Sequence, residues 1–144
     1  SLYCNLLPCT HWAGTSVLAE RAGELAGFVA GHRIPERPDT VFVWQVAVAP
    51  ASRGTGLGGR MLDALLARPA CRGVTHLEAT LTEDNLASRR LFDGFASRHG
   101  AALERRLLFD AQRHFAGRHA SELLLRIGPL AGAVRHSHAE RRSA

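Results

Sequence analysis

The chain has 144 residues, 46% of them hydrophobic and 22% charged, which suits a single folded domain with an apolar core. Its net charge is +5, but the basic residues are dispersed apart from Arg89-Arg90, Arg105-Arg106 and the C-terminal end, and aromatics make up only 6%, so no nucleic-acid surface is expected. No stretch approaches the roughly 18 apolar residues that a membrane span needs, and Ser1–Asn5 carry no basic leader region, so a cytoplasmic protein with no membrane partner is expected. Cys4, Cys9 and Cys71 are odd in number and widely spaced, which reads as reduced thiols rather than a disulfide framework.

In chain order, Leu2 to Leu7 is a short apolar run that reads as strand-like and is closed by Pro8. Val17–Glu20 and Leu25–Ile34 read as two strands joined by a turn at Arg21-Ala22-Gly23-Glu24, an antiparallel hairpin. Pro35 to Asp39 reads as a loop. Val41 to Val48 is the strongest strand signal, β-branched and apolar on both faces, as a central buried strand is. Pro50 closes it, and Arg53-Gly54-Thr55-Gly56-Leu57-Gly58-Gly59-Arg60 leads into a helix with Leu57, Met61, Leu62, Leu65 and Leu66 on one stripe, stopped by Pro69. His76–Leu81 reads as a strand. A second helix opens at Thr82-Glu83-Asp84-Asn85, carries Ala87, Leu91, Phe92 and Phe95, and ends at Gly100. Leu103–Phe109 reads as a strand, Asp110–Ala120 as a polar loop, and Glu122–Ile127 as a last strand closed by Gly128-Pro129. The order predicts a mixed α/β domain over residues 1–130, followed by a solvated tail over 131–144.

A strand, a run of glycines and a helix make an anion-binding arrangement. The first helical N–H groups have no intrahelical partner, the helix dipole adds positive charge there, and glycine lets a phosphate reach the backbone. Several readings compete. A P-loop fails because Arg60 and Met61 stand where Lys and a hydroxyl residue are needed. Gly54, Gly56 and Gly59 match the spacing of a dinucleotide fingerprint, and Glu78 lies about 20 residues on, but inside its strand rather than at the end where a ribose ligand belongs. A glycine loop that merely joins strand to helix also stays open.

The remaining pattern is R-x-x-G-x-G, carried by Arg53, Gly56 and Gly58 after Val46-Ala47-Val48. It resembles the acetyl-coenzyme A loop of the GNAT superfamily. Asn85-x-Ala87 followed by Leu91-Phe92 resembles that family's second cofactor element. The resemblance implies a mixed central sheet splayed at the acetyl-coenzyme A site and flanked by helices. It implies cofactor contacts from Val46, Ala47, Val48, Arg53, Gly54, Thr55, Gly56, Leu57, Gly58, Asn85 and Phe92. It also implies an oxyanion held by backbone N–H groups beside Val46. Phe92 departs from the pattern, since many members carry a Tyr there that can protonate the leaving thiolate.

A narrower resemblance rests on Phe42-Val43-Trp44-Gln45-Val46-Ala47-Val48, Arg68-Pro69-Ala70-Cys71-Arg72, Thr82-x-Asp84-Asn85, and His114-Phe115-x-Gly117-Arg118-His119-x-x-Glu122 followed by Leu124-x-Arg126-Ile127-Gly128-Pro129-Leu130. These segments resemble the L-2,4-diaminobutyrate acetyltransferases of ectoine biosynthesis, from about Tyr3 to Leu130. That likeness implies a small diamine substrate, a homodimer, and further residues upstream of Ser1. A diamine of this kind needs an acidic group for one ammonium, an aromatic wall, and a base for the reacting amine, whose ordinary pKa is near 10. Glu122 is the expected acidic group and base, with His119 beside it in sequence. Trp44, Gln45 and Tyr3 are the expected wall and flanking contacts. On composition alone Trp44 reads more readily as core, and His119 as a solvated loop residue. No nucleophile constellation stands out, so direct attack of the amine is expected. His114, His119, His136 and His138 match no structural zinc spacing, and no metal is expected. An enzyme acting on another amine, or an acyl-coenzyme A-binding module without catalysis, are the alternatives.

Overall fold

The computed structural model describes residues 2–130; the tail expected over 131–144 lies outside the described residues. The fold groups into two compact units, one running up to Val74 and the other beginning at Thr75.

The first unit opens with helix α1 (Leu2–Thr10) and a 3₁₀ turn at Ala13–Thr15. The strand expected over Leu2–Leu7 is therefore corrected: a six-residue apolar run has no periodicity that separates strand from helix, and this one is helical with Pro8 inside it. Strands β1 (Ser16–Arg21), β2 (Glu24–Ile34) and β3 (Arg37–Val48) then form an antiparallel meander. Arg21 pairs with Glu24 across a two-residue turn in which Ala22 and Gly23 both take positive φ, the geometry that matches strand twist. The loop expected over Pro35–Asp39 shrinks to Pro35-Glu36. Ile34 already faces Arg37 there, and Arg33 Nε donates to the Pro38 carbonyl, so Pro38 and Asp39 belong to β3. A proline near a strand start is tolerated because a missing N–H costs little there.

Helix α2 (Leu57–Leu66) buries Met61, Leu62 and Leu65, most of the stripe read from the sequence. It is stopped by a 3₁₀ turn at Pro69–Cys71. A Cβ on Gly27 of β2 would lie 3.0 Å from the Met61 methyl, which shows how closely α2 sits on the meander.

In the second unit β4 (His76–Thr82), β5 (Ala102–Phe109) and β6 (Glu122–Gly128) are antiparallel, with β6 paired on one side to β4 and on the other to β5. Leu124, Leu125 and Ile127 of β6 are buried together with Leu77, Ala79 and Leu81 of β4. Helix α3 (Leu86–His99) is capped by the Asn85 side chain, which accepts from the Ser88 N–H, and it ends on Gly100 in the left-handed conformation. It buries Phe92 and Phe95, each worth about 1.5–3 kcal/mol of apolar transfer. The polar loop expected over Asp110–Ala120 contains a short helix, α4 (Ala111–Phe115), because Asp110 caps it through the Gln112 and Arg113 N–H groups. Those two bonds, Arg113 first, hold the Asp110 carboxyl below its ordinary range.

Candidate active site

In the first unit, the segment after β3 is built to meet an anion. Gly54 and Gly56 have φ of +72° and +76°, a region that costs other residues energy, and Gly56 is the N-cap of α2. The loop holds its shape by its own contacts. Thr55 Oγ1 donates to the Ser52 carbonyl at 2.8 Å, Arg60 Nη1 donates to the Thr55 carbonyl at 2.8 Å, and Arg53 Nε donates to the Val48 carbonyl at 3.2 Å. Residues 53–56 are exposed, while Gly58 and Gly59 in the first turn of α2 are buried. A cavity of about 410 Å³ beside the loop is lined by Glu20, Arg21, Ser52, Thr55, Leu57 and Arg60. Two guanidinium groups, left-handed glycines and a helix N-terminus suit a pyrophosphate.

Trp44 does not fit the buried strand expected for it. Gln45 faces Ala30, but Val43 faces Gly31, so Trp44 is the extra residue of a β-bulge. The bulge re-aims its side chain, and Trp44 is 37% exposed while Val41 and Val43 are buried. A Cβ on Gly31 would come within 2.5 Å of the Phe42 carbonyl oxygen, so only glycine permits this register. Val46, Ala47 and Val48 continue past the bulge opposite Val29, Phe28 and Gly27. Gln45 lines a cavity of about 660 Å³ with Ser16, Phe28, Ala30 and Arg68. Tyr3 lies in the first turn of α1. Cys71 is buried, and burial pushes its thiol above the ordinary value against the lowering by Arg33 and Arg68, which argues against a nucleophile.

In the second unit, Glu122 is the first residue of β6, opposite Thr82 of β4. Its side chain is 20% exposed, and its Oε1 lies 3.9 Å from His119 Nε2. His119 Nδ1 stands 2.7 Å from the Ala120 carbonyl oxygen, which can only accept, so Nδ1 carries the hydrogen and Nε2 of the neutral ring is an acceptor. Two acceptors facing each other across 3.9 Å are suited to an N–H donor placed between them. The His119 ring packs on Phe115 at 4.9 Å, and Phe115 packs on Phe109. Ser121 Oγ accepts from the Ala111 N–H, which ties the start of α4 to the segment between His119 and Glu122. His119 is thus half-exposed but fixed by its neighbours.

Asn85 spends its side-chain oxygen on the α3 cap, which leaves its amide N–H groups as the donors open to a cofactor role. Phe92 is 2% exposed, so its ring belongs to the buried interior. The ribose role considered for Glu78 is excluded: the carboxylate is 1% exposed and bound at 2.6 Å by Arg126, its cross-strand neighbour. Sequence reasoning missed Ser121, whose role depends on a bond between positions ten apart, and Trp12, whose ring meets Trp44 at 5.4 Å. No periodicity marks either residue.

A family model described as the acetyltransferase (GNAT) family matches residues 3–95, and the chain belongs to that family. Within it, the chain is 49% identical over 129 residues to the L-2,4-diaminobutyric acid acetyltransferase of Methylotuvimicrobium alcaliphilum, covering 90% of this chain and 75% of that protein. It is 50% identical to the enzyme of the same name from Nocardia farcinica over 135 residues, 94% of this chain and 69% of that one. A solved structure of diaminobutyrate acetyltransferase EctA from Paenibacillus lautus, in complex with its substrate L-2,4-diaminobutyric acid and coenzyme A, superposes with a TM-score of 0.84 at 38% identity, covering 90% of this chain and 78% of that one. The α/β GNAT fold expected from the sequence is the fold these comparisons show.

Proposed function

We propose that the chain transfers the acetyl group of acetyl-coenzyme A to the 4-amino group of L-2,4-diaminobutyrate, giving N4-acetyl-L-2,4-diaminobutyrate for ectoine synthesis. The observation that carries this reading is the likeness, across about nine-tenths of the chain, to enzymes of that name and to a structure holding that substrate and coenzyme A. The residues fit the cosubstrate. The left-handed glycines at 54 and 56, the α2 N-terminus and the Arg53 and Arg60 side chains suit its pyrophosphate, with Thr55, Leu57, Gly58, Asn85 and the backbone of Val46, Ala47 and Val48 as further contacts. Phe92 supports the site from the interior rather than by its ring surface.

Acetyl-coenzyme A supplies an activated thioester. Glu122 Oε1 and His119 Nε2 hold an ammonium as paired acceptors, and Glu122 takes the proton that the reacting amine must lose. Trp44, Tyr3 and Gln45 flank the carbon chain. The amine adds to the thioester carbonyl to form the C–N bond, the Val46 N–H steadies the resulting oxyanion, and the C–S bond breaks as that oxyanion collapses. Phe92 has no hydroxyl, so the thiolate takes its proton from water or from another side chain. Residues 1–130 form the catalytic domain, and the working form is a cytoplasmic homodimer. No helix among the described residues is long and apolar enough to cross a membrane, and Cys4, Cys9 and Cys71 form no disulfide. Among the described residues no cluster of metal-ligating side chains occurs, and the proposed chemistry uses no metal.

The test is thiol release from acetyl-coenzyme A with diaminobutyrate, ornithine, lysine, spermidine and a histone-tail peptide. Preferential turnover of diaminobutyrate, with acetylation at N4 by NMR, is expected. Preference for another amine would refute the substrate. No turnover with any of them, with coenzyme still bound, would indicate a binding module.

A further inference from the structure

Trp12 and Trp44 are the only tryptophans in the chain, and their rings meet nearly edge to face, with centroids 5.4 Å apart and planes at 76°. On its other side Trp12 lies 5.3 Å from the His32 ring, which in turn lies 5.6 Å from Phe42. The Trp12 backbone is anchored as well. Its carbonyl accepts from the Thr15 N–H at 2.9 Å and from Ser16 Oγ at 2.8 Å. Thr15, itself buried, donates its hydroxyl to the Gly31 carbonyl. Gly31 is the residue at which the register slips to release Trp44 from the strand. One short segment therefore grips both the backbone that makes the bulge and the side chain that the bulge turns outward.

An exposed indole on a bulge has several staggered orientations open to it, and an edge-to-face neighbour selects among them. We infer that Trp12 is the positioning residue that fixes the Trp44 indole, and that the pair sets the length of diamine accepted. This rests on the reading of Trp44 as a wall of the substrate site. With Trp12 removed, Trp44 swings toward the vacated space and the wall recedes. Diaminobutyrate then loses contact, while ornithine, longer by one methylene, gains room.

The test uses the full chain with Trp12→Ala, Trp12→Phe, Trp12→Leu and Trp44→Ala. Two indoles this close give a coupled pair of bands in far-ultraviolet circular dichroism, expected in the unaltered protein and lost in all four variants. In Trp12→Ala the KM for diaminobutyrate should rise more than kcat falls. The ornithine-to-diaminobutyrate ratio of kcat/KM should shift toward ornithine by about tenfold, the low end of what one methylene is worth in an apolar site. Trp12→Phe retains an aromatic edge and should restore most of the selectivity without the coupled bands. If Trp12→Ala does not fold, Trp12→Leu, which keeps an apolar side chain, decides by the same ratio. An unshifted ratio in the folded Trp12 variant, with Trp44→Ala strongly impaired, would overturn the positioning role alone. Unchanged kinetics in Trp44→Ala would overturn the substrate-wall reading and the inference with it.

Discussion

Replacing Arg126 with Met should destabilise the chain more than replacing Glu78 with Gln, although both cut the same ion pair. The two side chains meet at 2.6 Å, but the Glu78 side chain is 2% exposed and that of Arg126 29%. In Arg126→Met the buried carboxylate loses the guanidinium of this pair, and breaking a buried pair from this side costs about 3–5 kcal/mol. In Glu78→Gln the guanidinium keeps an oxygen acceptor and can lean toward solvent. The loss is then the difference between a charge-assisted and a neutral hydrogen bond, about 1–2 kcal/mol. The double variant should cost less than the sum, because both substitutions remove the same pairwise interaction. The assay is urea unfolding followed by far-ultraviolet circular dichroism, comparing midpoints at constant slope. Equal losses in the two single variants, or strict additivity in the double one, would refute the assignment of Glu78 as a buried charge that depends on Arg126.

Glu122→Gln should lower turnover more than about tenfold, toward the 10²–10⁴ that a general base contributes, while coenzyme A affinity by calorimetry stays nearly unchanged; turnover close to that of the unaltered chain would remove Glu122 from the mechanism. Gly56→Val forces a branched side chain into φ of +76°, at about 1–3 kcal/mol of strain, and should weaken coenzyme A binding; unaltered affinity would sink the loop assignment. Asp110 tests the α4 cap by pH. Its folded pKa lies below the ordinary 3.8, so the cap's contribution is present above that value and is lost as pH falls through the lower folded one. Protection of the Gln112 and Arg113 amides, followed by hydrogen exchange, should fade over that acid window. The fading should be absent in Asp110→Asn, which keeps an uncharged acceptor; the same acid loss in that variant would show that another group controls α4.

Much of this was legible in the sequence because it is written in local signals. The hairpin at Ala22-Gly23, the glycine loop into α2, the Asn85 cap and the Gly100 stop each depend on residues within a few positions of one another. The misreadings share a different cause. Leu2–Leu7 offered apolar residues without a period that separates strand from helix, and the segment is helical. Pro38 and Asp39 look like turn residues, yet the two-residue turn before them left them in β3. The short helix after Asp110 was hidden by a polar composition that its cap overrides. The exposure of Trp44 was not legible at all. It depends on a register slip between β2 and β3, and alternation along one strand cannot report on the partner strand.

Four of the residues proposed to act share one structural property. Trp44 sits on a bulge, Gly56 at a left-handed cap, Asn85 at a helix start, and Glu122 at the first position of a strand. Each is a point where regular hydrogen bonding is interrupted, so that a side chain or a backbone group is left pointing away from the element it belongs to. Regular structure consumes its polar groups internally, and a ligand can be held only by what regularity leaves over. Interruptions cost stability, and here each is fastened by a specific local bond: Thr15 to Gly31 behind the bulge, Arg60 to Thr55 at the glycine loop, Asn85 to Ser88 at α3, and Ser121 to Ala111 beside Glu122. The fastening bonds rather than the proposed contact residues are accordingly where substitution should loosen the site while leaving its chemistry intact. A Ser121→Ala variant should for that reason raise KM more than it lowers kcat, the reverse of Glu122→Gln, with steady-state kinetics on diaminobutyrate as the measurement that separates holding the site in place from carrying out the reaction.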